Sequence, residues 1–179
     1  MAAAYGALAN GGNYIEPTVF TTITTFDGNL LVKSNPQENR VVSESVAYVI
    51  TDMLQAVVKE GTGKNASIGA MPVAGKTGTT NNALDCWFVG YTPYYVGATY
   101  IGDDAGTSIA RRSVVGTSGT AAKLWSNVMA PIHENLTVAK FTKPDGVYFA
   151  KINTTDGGTS SYGVSAAFVE GTSPSRASS

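Results

Sequence analysis

Between Pro72 and Ile101 three strand-like runs follow one another, at residues 73–80, 86–91 and 94–101. Turns at Asn81-Asn82 and Thr92-Pro93 separate them, and connections so short leave no room for a crossover helix, so the runs pair antiparallel. Pro72 has no N–H to give to a ladder, so it belongs at the first position of a strand or on an edge. The first run therefore forms one rim of the sheet. That rim carries Gly75, Lys76, Thr77, Gly78, Thr79 and Thr80, so one ammonium, three hydroxyls and two glycines stand in a short extended segment. Its backbone is bare enough for a ligand to lie against it, and an extended ligand can pair with such an edge. The segment is equipped to hold an anion or a carbonyl.

A phosphate-binding loop would need G-x-x-x-x-G-K-[ST] between a strand and the helix whose amides meet the phosphates. The spacing fails, because the residue five before Gly75 is Ala70 and Gly69 stands one place too far back. The context fails too, since Trp87-Phe88-Val89 continues as strand and not as helix.

Helical spacing appears twice more. From Ser43 to Glu60 the residues Val46, Val49, Ile50, Met53, Leu54, Val57 and Val58 form one apolar stripe, with Ser43 placed to cap and Gly61 to end the helix. From Gly119 the residues Ala121, Leu124, Trp125, Val128, Met129 and Ile132 repeat the pattern, with Ser118 or Thr120 as cap and Pro131 expected to kink or shorten the last turn. Residues 2–9 read as a helix end stopped by Asn10-Gly11-Gly12, and residues 17–32 as a hairpin turning at Asp27-Gly28. Beyond Phe141 a single short strand, Val147 to Ile152, is expected between two turns, and residues 171–179 have the composition of a disordered end.

Charge and cysteine usage exclude whole classes of function. With a formal net charge of −1 in 179 residues, no long-range field draws the chain to nucleic acid or to an anionic membrane surface. Cys86 is the only cysteine, which rules out an internal disulfide or a thiolate cluster, and His133 is the only histidine, with no second ligand near it in sequence. No metal and no cofactor is expected. Asp103 and Asp104 lack the alternating oxygen ligands of a calcium loop, and Arg111-Arg112 reads as a solvated pair. No run of 18 apolar residues exists, and Met1-Ala2-Ala3-Ala4 lacks the basic flank of a signal peptide.

Lys-Thr-Gly is one of the elements of active-site serine penicillin-recognising enzymes. Around it stand Met1-Ala2-Ala3-Ala4-Tyr5, Asn10-Gly11-Gly12, Gly61-Thr62-Gly63, Ala74-Gly75-Lys76-Thr77-Gly78-Thr79-Thr80 and Asp85-Cys86-Trp87-Phe88-Val89-Gly90-Tyr91-Thr92-Pro93. In that order they closely resemble the C-terminal part of the transpeptidase domain of bifunctional, class A penicillin-binding proteins. The resemblance implies an α+β fold, an antiparallel sheet with packed helices, as the C-terminal portion of a β-lactamase/transpeptidase-like fold. It divides the chain into residues 1–140, belonging to that domain, and residues 141–179, an extension. Cys86 falls where those proteins carry a small apolar residue, so a buried thiol is expected.

What the resemblance implies chemically is peptidoglycan cross-linking. A serine attacks the penultimate D-alanine carbonyl of a stem peptide, D-alanine leaves, and an amine of a second stem peptide takes the acyl group; penicillin mimics the donor. Lys76 and Thr79 are the catalytic candidates, and Thr77, Gly78 and Thr79 the substrate-binding ones. Lys76 would face the donor carboxylate and hold the neighbouring serine-motif hydroxyl. Thr77 and Thr79 would hydrogen-bond that carboxylate, Gly78 would let the donor backbone approach, and the Thr79 amide would be one of two oxyanion donors.

Neither S-x-x-K nor S-x-N occurs in the 179 residues, so the nucleophile and its base are expected before Met1. The chain then reads as an inactive portion of its parent enzyme, partnered by the missing N-terminal part of its own domain, by peptidoglycan stem peptides and by β-lactam antibiotics, not by nucleic acid. The parent is expected at the extracytoplasmic face of the bacterial cell membrane. A fragment of a serine β-lactamase or of a D,D-carboxypeptidase, and a non-catalytic binding module, are the alternatives.

Overall fold

A computed structural model of the protein describes residues 1–81, 84–103 and 118–175. Asp104 and the Arg111-Arg112 pair lie outside the described residues.

The first helix, α1 (Ala2–Ala9), stops where glycine is required. Gly12 has φ 94° and donates its N–H to Ala7 O at 2.7 Å, and a Cβ there would fall 2.1 Å from Val42 O. The chain then enters β1 (Asn13–Ile15), β2 (Thr22–Thr24), β3 (Leu30–Lys33) and β4 (Glu38–Arg40). β2 and β3 form the expected hairpin, with Gly28 at φ 84° in its turn, while β1 and β4 pair across its base, Asn13 opposite Arg40. That outer pair was not anticipated, because two three-residue strands far apart in sequence leave no periodic signal.

α2 (Glu44–Lys59) is capped as expected: Ser43 Oγ accepts from Val46 N at 3.3 Å, and Gly61 N–H donates to Ala56 O and Val57 O. Its buried face differs from the expected stripe. Ala47, Thr51 and Val58 are buried, whereas Val46 and Met53 are exposed. Small residues let the helix approach the sheet closely, and Thr51 is kept inside by a 2.8 Å hydrogen bond with the Tyr91 hydroxyl. Burial pushes the Tyr91 phenol up to about 12, with the Thr51 bond acting the other way and Tyr5 adding a smaller rise.

The sheet itself is β5 (Ala74–Thr79), β6 (Asp85–Tyr91) and β7 (Val96–Gly102), antiparallel and in that order. Among the described residues β5 is an edge strand, beginning two residues after Pro72. Side chains alternate along it, so Thr77 and Thr79 share a face with their partners Phe88 and Cys86. On that face lies α3 (Ser118–His133), whose Trp125 ring meets Phe88 edge-on at 5.5 Å and donates Nε1–H to Gly97 O at 3.1 Å. α1 covers the opposite face, where Tyr5 meets Tyr91. Cys86, Phe88, Val73, Val58 and Ala66 join Ala121, Ala122, Trp125 and Met129 in the core. A helical layer on each side of an antiparallel sheet makes the α+β architecture, and Cys86 is fully buried.

Gly75, Gly90 and Gly97 stand opposite one another across the three strands. A Cβ would fall 2.4 Å from Phe88 Cζ at Gly75, 2.6 Å from Phe88 Cε1 at Gly90, and 2.5 Å from Met129 Cε at Gly97. The row is a trench in which the aromatic core lies directly on backbone.

α3 corrects the expected stripe in the same way as α2. Ala122, Ser126 and His133 are buried together with Trp125, while Leu124, Val128 and Ile132 are exposed. Thr99 Oγ1 donates to Ala121 O at 2.8 Å, a helix-to-sheet approach that only small residues allow. The helix also continues through Pro131 to His133. Beyond Phe141, where one strand was expected, there are two: β8 (Val147–Ile152) and β9 (Val164–Val169) form an antiparallel hairpin. It packs on α2, where Asp52 Oδ2 accepts from Ala167 N at 3.2 Å and Tyr48 meets Phe149. Within the polar end the Ser175 carbonyl accepts from Thr159 N at 3.0 Å; residues 176–179 lie outside the described residues.

Candidate functional site

The hydrogen-bond phase of β5 decides what its edge presents. Thr80 N–H donates to Asp85 O at 3.0 Å, and inward-paired positions alternate in an antiparallel ladder. Ala74, Lys76 and Gly78 are therefore paired to β6, while Gly75, Thr77 and Thr79 turn their N–H and C=O groups outward. Thr80 Oγ1 also accepts from Asp85 N at 2.9 Å, and Tyr100 donates its hydroxyl to Asp85 Oδ1 at 2.7 Å, so the far end of the β5–β6 pair is tied down.

Each candidate residue has a distinct place on this edge. The Lys76 side chain is exposed and folds along the strand, its Nζ donating to Thr77 O at 2.7 Å. An ammonium resting on an outward strand carbonyl is chemically able to exchange that carbonyl for an anion. Gly78 lies beside Trp87, where a Cβ would sit 3.5 Å from Trp87 Cβ, so its bareness serves approach from the edge more than packing inside. Thr79 is exposed, its hydroxyl 4.0 Å from Cys86 Sγ, and its amide faces outward.

Thr77 lies deeper than its neighbours on the strand. It is only 7% exposed, and its hydroxyl is 2.7 Å from the hydroxyl of Thr62 in the loop after α2. Gly61-Thr62-Gly63 belongs to the resemblance, but nothing in one sequence pairs Thr62 with Thr77 across 15 positions. Val57 O accepts from both Gly61 N, at 3.1 Å, and Gly63 N, at 3.0 Å, and fastens this loop to the end of α2.

The remaining chemical candidates are structural in their contacts. His133 is buried, with Nδ1 2.7 Å from Met129 O and Nε2 2.8 Å from Thr92 Oγ1. Thr92 Oγ1 accepts from Tyr94 N and Tyr95 N, so its proton goes to His133 Nε2 and the imidazole donates from Nδ1. Among the described residues no three His, Cys, Asp or Glu side chains converge, and no helix is long and apolar enough to cross a membrane. A hollow of about 520 Å³ lies between α1 and the turn at residues 92–95, away from Lys76 and Thr79, and is lined by Ala2, Gly6, Ala9, Pro93 and Tyr94 among others.

The family described as the penicillin binding protein transpeptidase domain matches residues 1–129. Penicillin-binding protein 1A of Clostridium acetobutylicum is 37% identical over 179 residues, covering 99% of this chain and 20% of its own length. Penicillin-binding protein 1A/1B of Bacillus subtilis is 34% identical over 166 residues, covering 85% of this chain and 18% of its own. The chain thus spans about a fifth of the length of such curated relatives. Among solved structures, penicillin-binding protein 1A from Haemophilus influenzae superposes with a TM-score of 0.84 at 25% identity, over 98% of this chain and 32% of that one. PonA1 from Mycobacterium tuberculosis, at 23% identity over 80% of this chain and 40% of that one, shares the fold with a TM-score of 0.70.

Proposed function

Because the chain belongs to the penicillin-binding protein transpeptidase domain family, we propose that it builds one wall of a serine D,D-transpeptidase site in a class A penicillin-binding protein. The whole enzyme cross-links peptidoglycan stem peptides by acyl transfer at the extracytoplasmic face of the membrane and is acylated by β-lactams. The serine and its activating lysine come from polypeptide outside these 179 residues, where neither S-x-x-K nor S-x-N occurs.

One observation carries this reading: β5 is an open edge whose outward groups are those of Thr77 and Thr79, beside the Lys76 ammonium. A donor peptide or a penicillin lies along that edge as an added strand. Lys76 and the hydroxyls of Thr77 and Thr79 hold its carboxylate, and Gly78 leaves room for its backbone. The Thr79 amide faces the acylated carbonyl as one of two oxyanion donors, and losing one such donor typically costs about 10²–10³ in rate.

The test is covalent labelling. Full-length protein incubated with penicillin gains one penicillin mass on a serine outside residues 1–179, and Lys76→Ala slows that acylation by more than tenfold, whereas this chain alone keeps its mass. A stable adduct on the isolated chain, or unchanged acylation of the Lys76→Ala enzyme, overturns the assignment.

A further inference from the structure

We infer that Thr62 is a positioning residue: it donates its hydroxyl proton to Thr77 Oγ1, so that the Thr77 proton points to the ligand carboxylate at the β5 edge. The inference rests on the reading of the Lys-Thr-Gly edge given above. Its basis is the 2.7 Å separation of the two hydroxyls together with the burial of Thr77.

A hydroxyl has one proton to donate and two lone pairs to accept with. If Thr77 donates to Thr62, no proton is left for a carboxylate, and Thr77 presents only lone pairs to an anion. If Thr62 donates to Thr77, the Thr77 proton is free for the edge, and donation into its oxygen makes it a stronger donor. Thr62 is exposed, so water satisfies its lone pairs when its proton is committed to Thr77; Thr77, at 7% exposure, has little water to fall back on. A bound anion selects the second arrangement.

The loop is built to deliver that hydroxyl. A Cβ on Gly61 would fall 2.9 Å from Val57 O, and one on Gly63 would fall 3.2 Å from Val57 O and 3.4 Å from Phe88 Cε2. Both glycines therefore lie hard against α2, Gly63 against the core as well, and Thr62 between them is the residue turned to β5. Phe88 is the β6 partner of Thr77, so loop, strand and core ring meet at one point.

The experiment uses the full-length protein and two probes, a penicillin with its free carboxylate and the methyl ester of the same penicillin. Thr62→Val slows acylation by the free acid about three- to tenfold, the worth of one neutral hydrogen bond, while the ester rate stays within twofold. The loss falls on the concentration for half-maximal acylation and spares the limiting rate. Thr62→Ser restores the free-acid rate, and Thr62→Val adds nothing in a Thr77→Val background. Equal losses for acid and ester, or additive losses in the double variant, overturn the inference and leave the edge assignment standing. If Thr77→Val itself fails to discriminate acid from ester, the carboxylate role of Thr77 falls, and the inference with it.

Discussion

Two antiparallel hairpins of this molecule, β2–β3 and β5–β6, end up in opposite surroundings. In β5–β6, Val73, Ala74, Phe88, Val89 and Tyr91 are buried, and helices lie on both faces. In β2–β3 every strand residue is exposed, Ile23, Leu30, Leu31 and Val32 included, and Phe26 beside its turn is fully exposed. Alternation and turn chemistry foretell pairing in both cases; they do not tell which hairpin becomes core. Burial comes from what the neighbouring helices present, and the glycine trench under Trp125 and Met129 exists only in the sheet.

The sharpest test of this contrast is chemical. Thr79→Pro removes the outward amide and distorts the edge, so acylation of the full-length protein should fall by about 10²–10³, whereas Thr79→Ala keeps the amide and should lose about 1.5–3 kcal/mol of carboxylate recognition. Val32→Thr should leave the acylation rate unchanged. A comparable loss from both hairpins would mean that β5 is scaffold and the site lies elsewhere.

Packing comes next. Gly90→Ala forces a methyl group into the Phe88 ring and should cost about 1–3 kcal/mol in stability, read as a fall in thermal midpoint. Gly28→Ala meets nothing within 4 Å and suffers only its positive φ, about 1 kcal/mol. Equal midpoints for the two variants would show that the trench yields.

A smaller effect separates the regions by pH. The Tyr91 phenol is ordinarily near 10.0 and is raised to about 12 by burial, so between those values the unfolded chain gives up a proton that the folded chain keeps. Stability from this group is complete below pH 10 and is lost as pH rises toward 12. Tyr91→Phe should cost about 1 kcal/mol at neutral pH through the lost Thr51 bond and should flatten that alkaline decline. An undiminished decline in the variant would assign it to other groups.

Smallest of all, Val32→Thr should change stability by less than about 0.5 kcal/mol, read from the thermal midpoint, because the side chain stays on an exposed strand. A larger loss would reveal a partner covering β2–β3.

How far the chain is legible follows the same division. Local chemistry reads directly: Ser43 caps α2, Gly61 ends it, Gly12 stops α1, and Pro72 precedes an edge strand. The faces of α2 and α3 do not read, because the sheet and its glycine row select among the helical positions, admitting Ala47, Thr51, Ala122 and Ser126 beside Trp125 and Met129 and leaving larger apolar residues outside. Leu124, Val128 and Ile132 follow helical spacing as well as Ala121 and Trp125 do, yet the room above Gly97 is taken by Trp125 and Met129. At the site, Lys76 and Thr79 stand on the exposed edge that the motif implies, while the Thr62–Thr77 contact depends on where α2 ends in space.

The glycine row has a consequence for descent. Phe88 fills the room above Gly75 and Gly90, and Trp125 with Met129 fills the room above Gly97, so glycines and rings constrain one another. Alanine at Gly90 becomes tolerable only after Phe88 has shrunk, and a smaller Phe88 leaves a void until the glycine is filled, whereas at Gly75 the Val89 carbonyl, 2.9 Å from a Cβ, keeps glycine whatever stands at 88. Single changes at either partner are therefore selected against while paired ones pass, and across lineages these positions should change together or not at all.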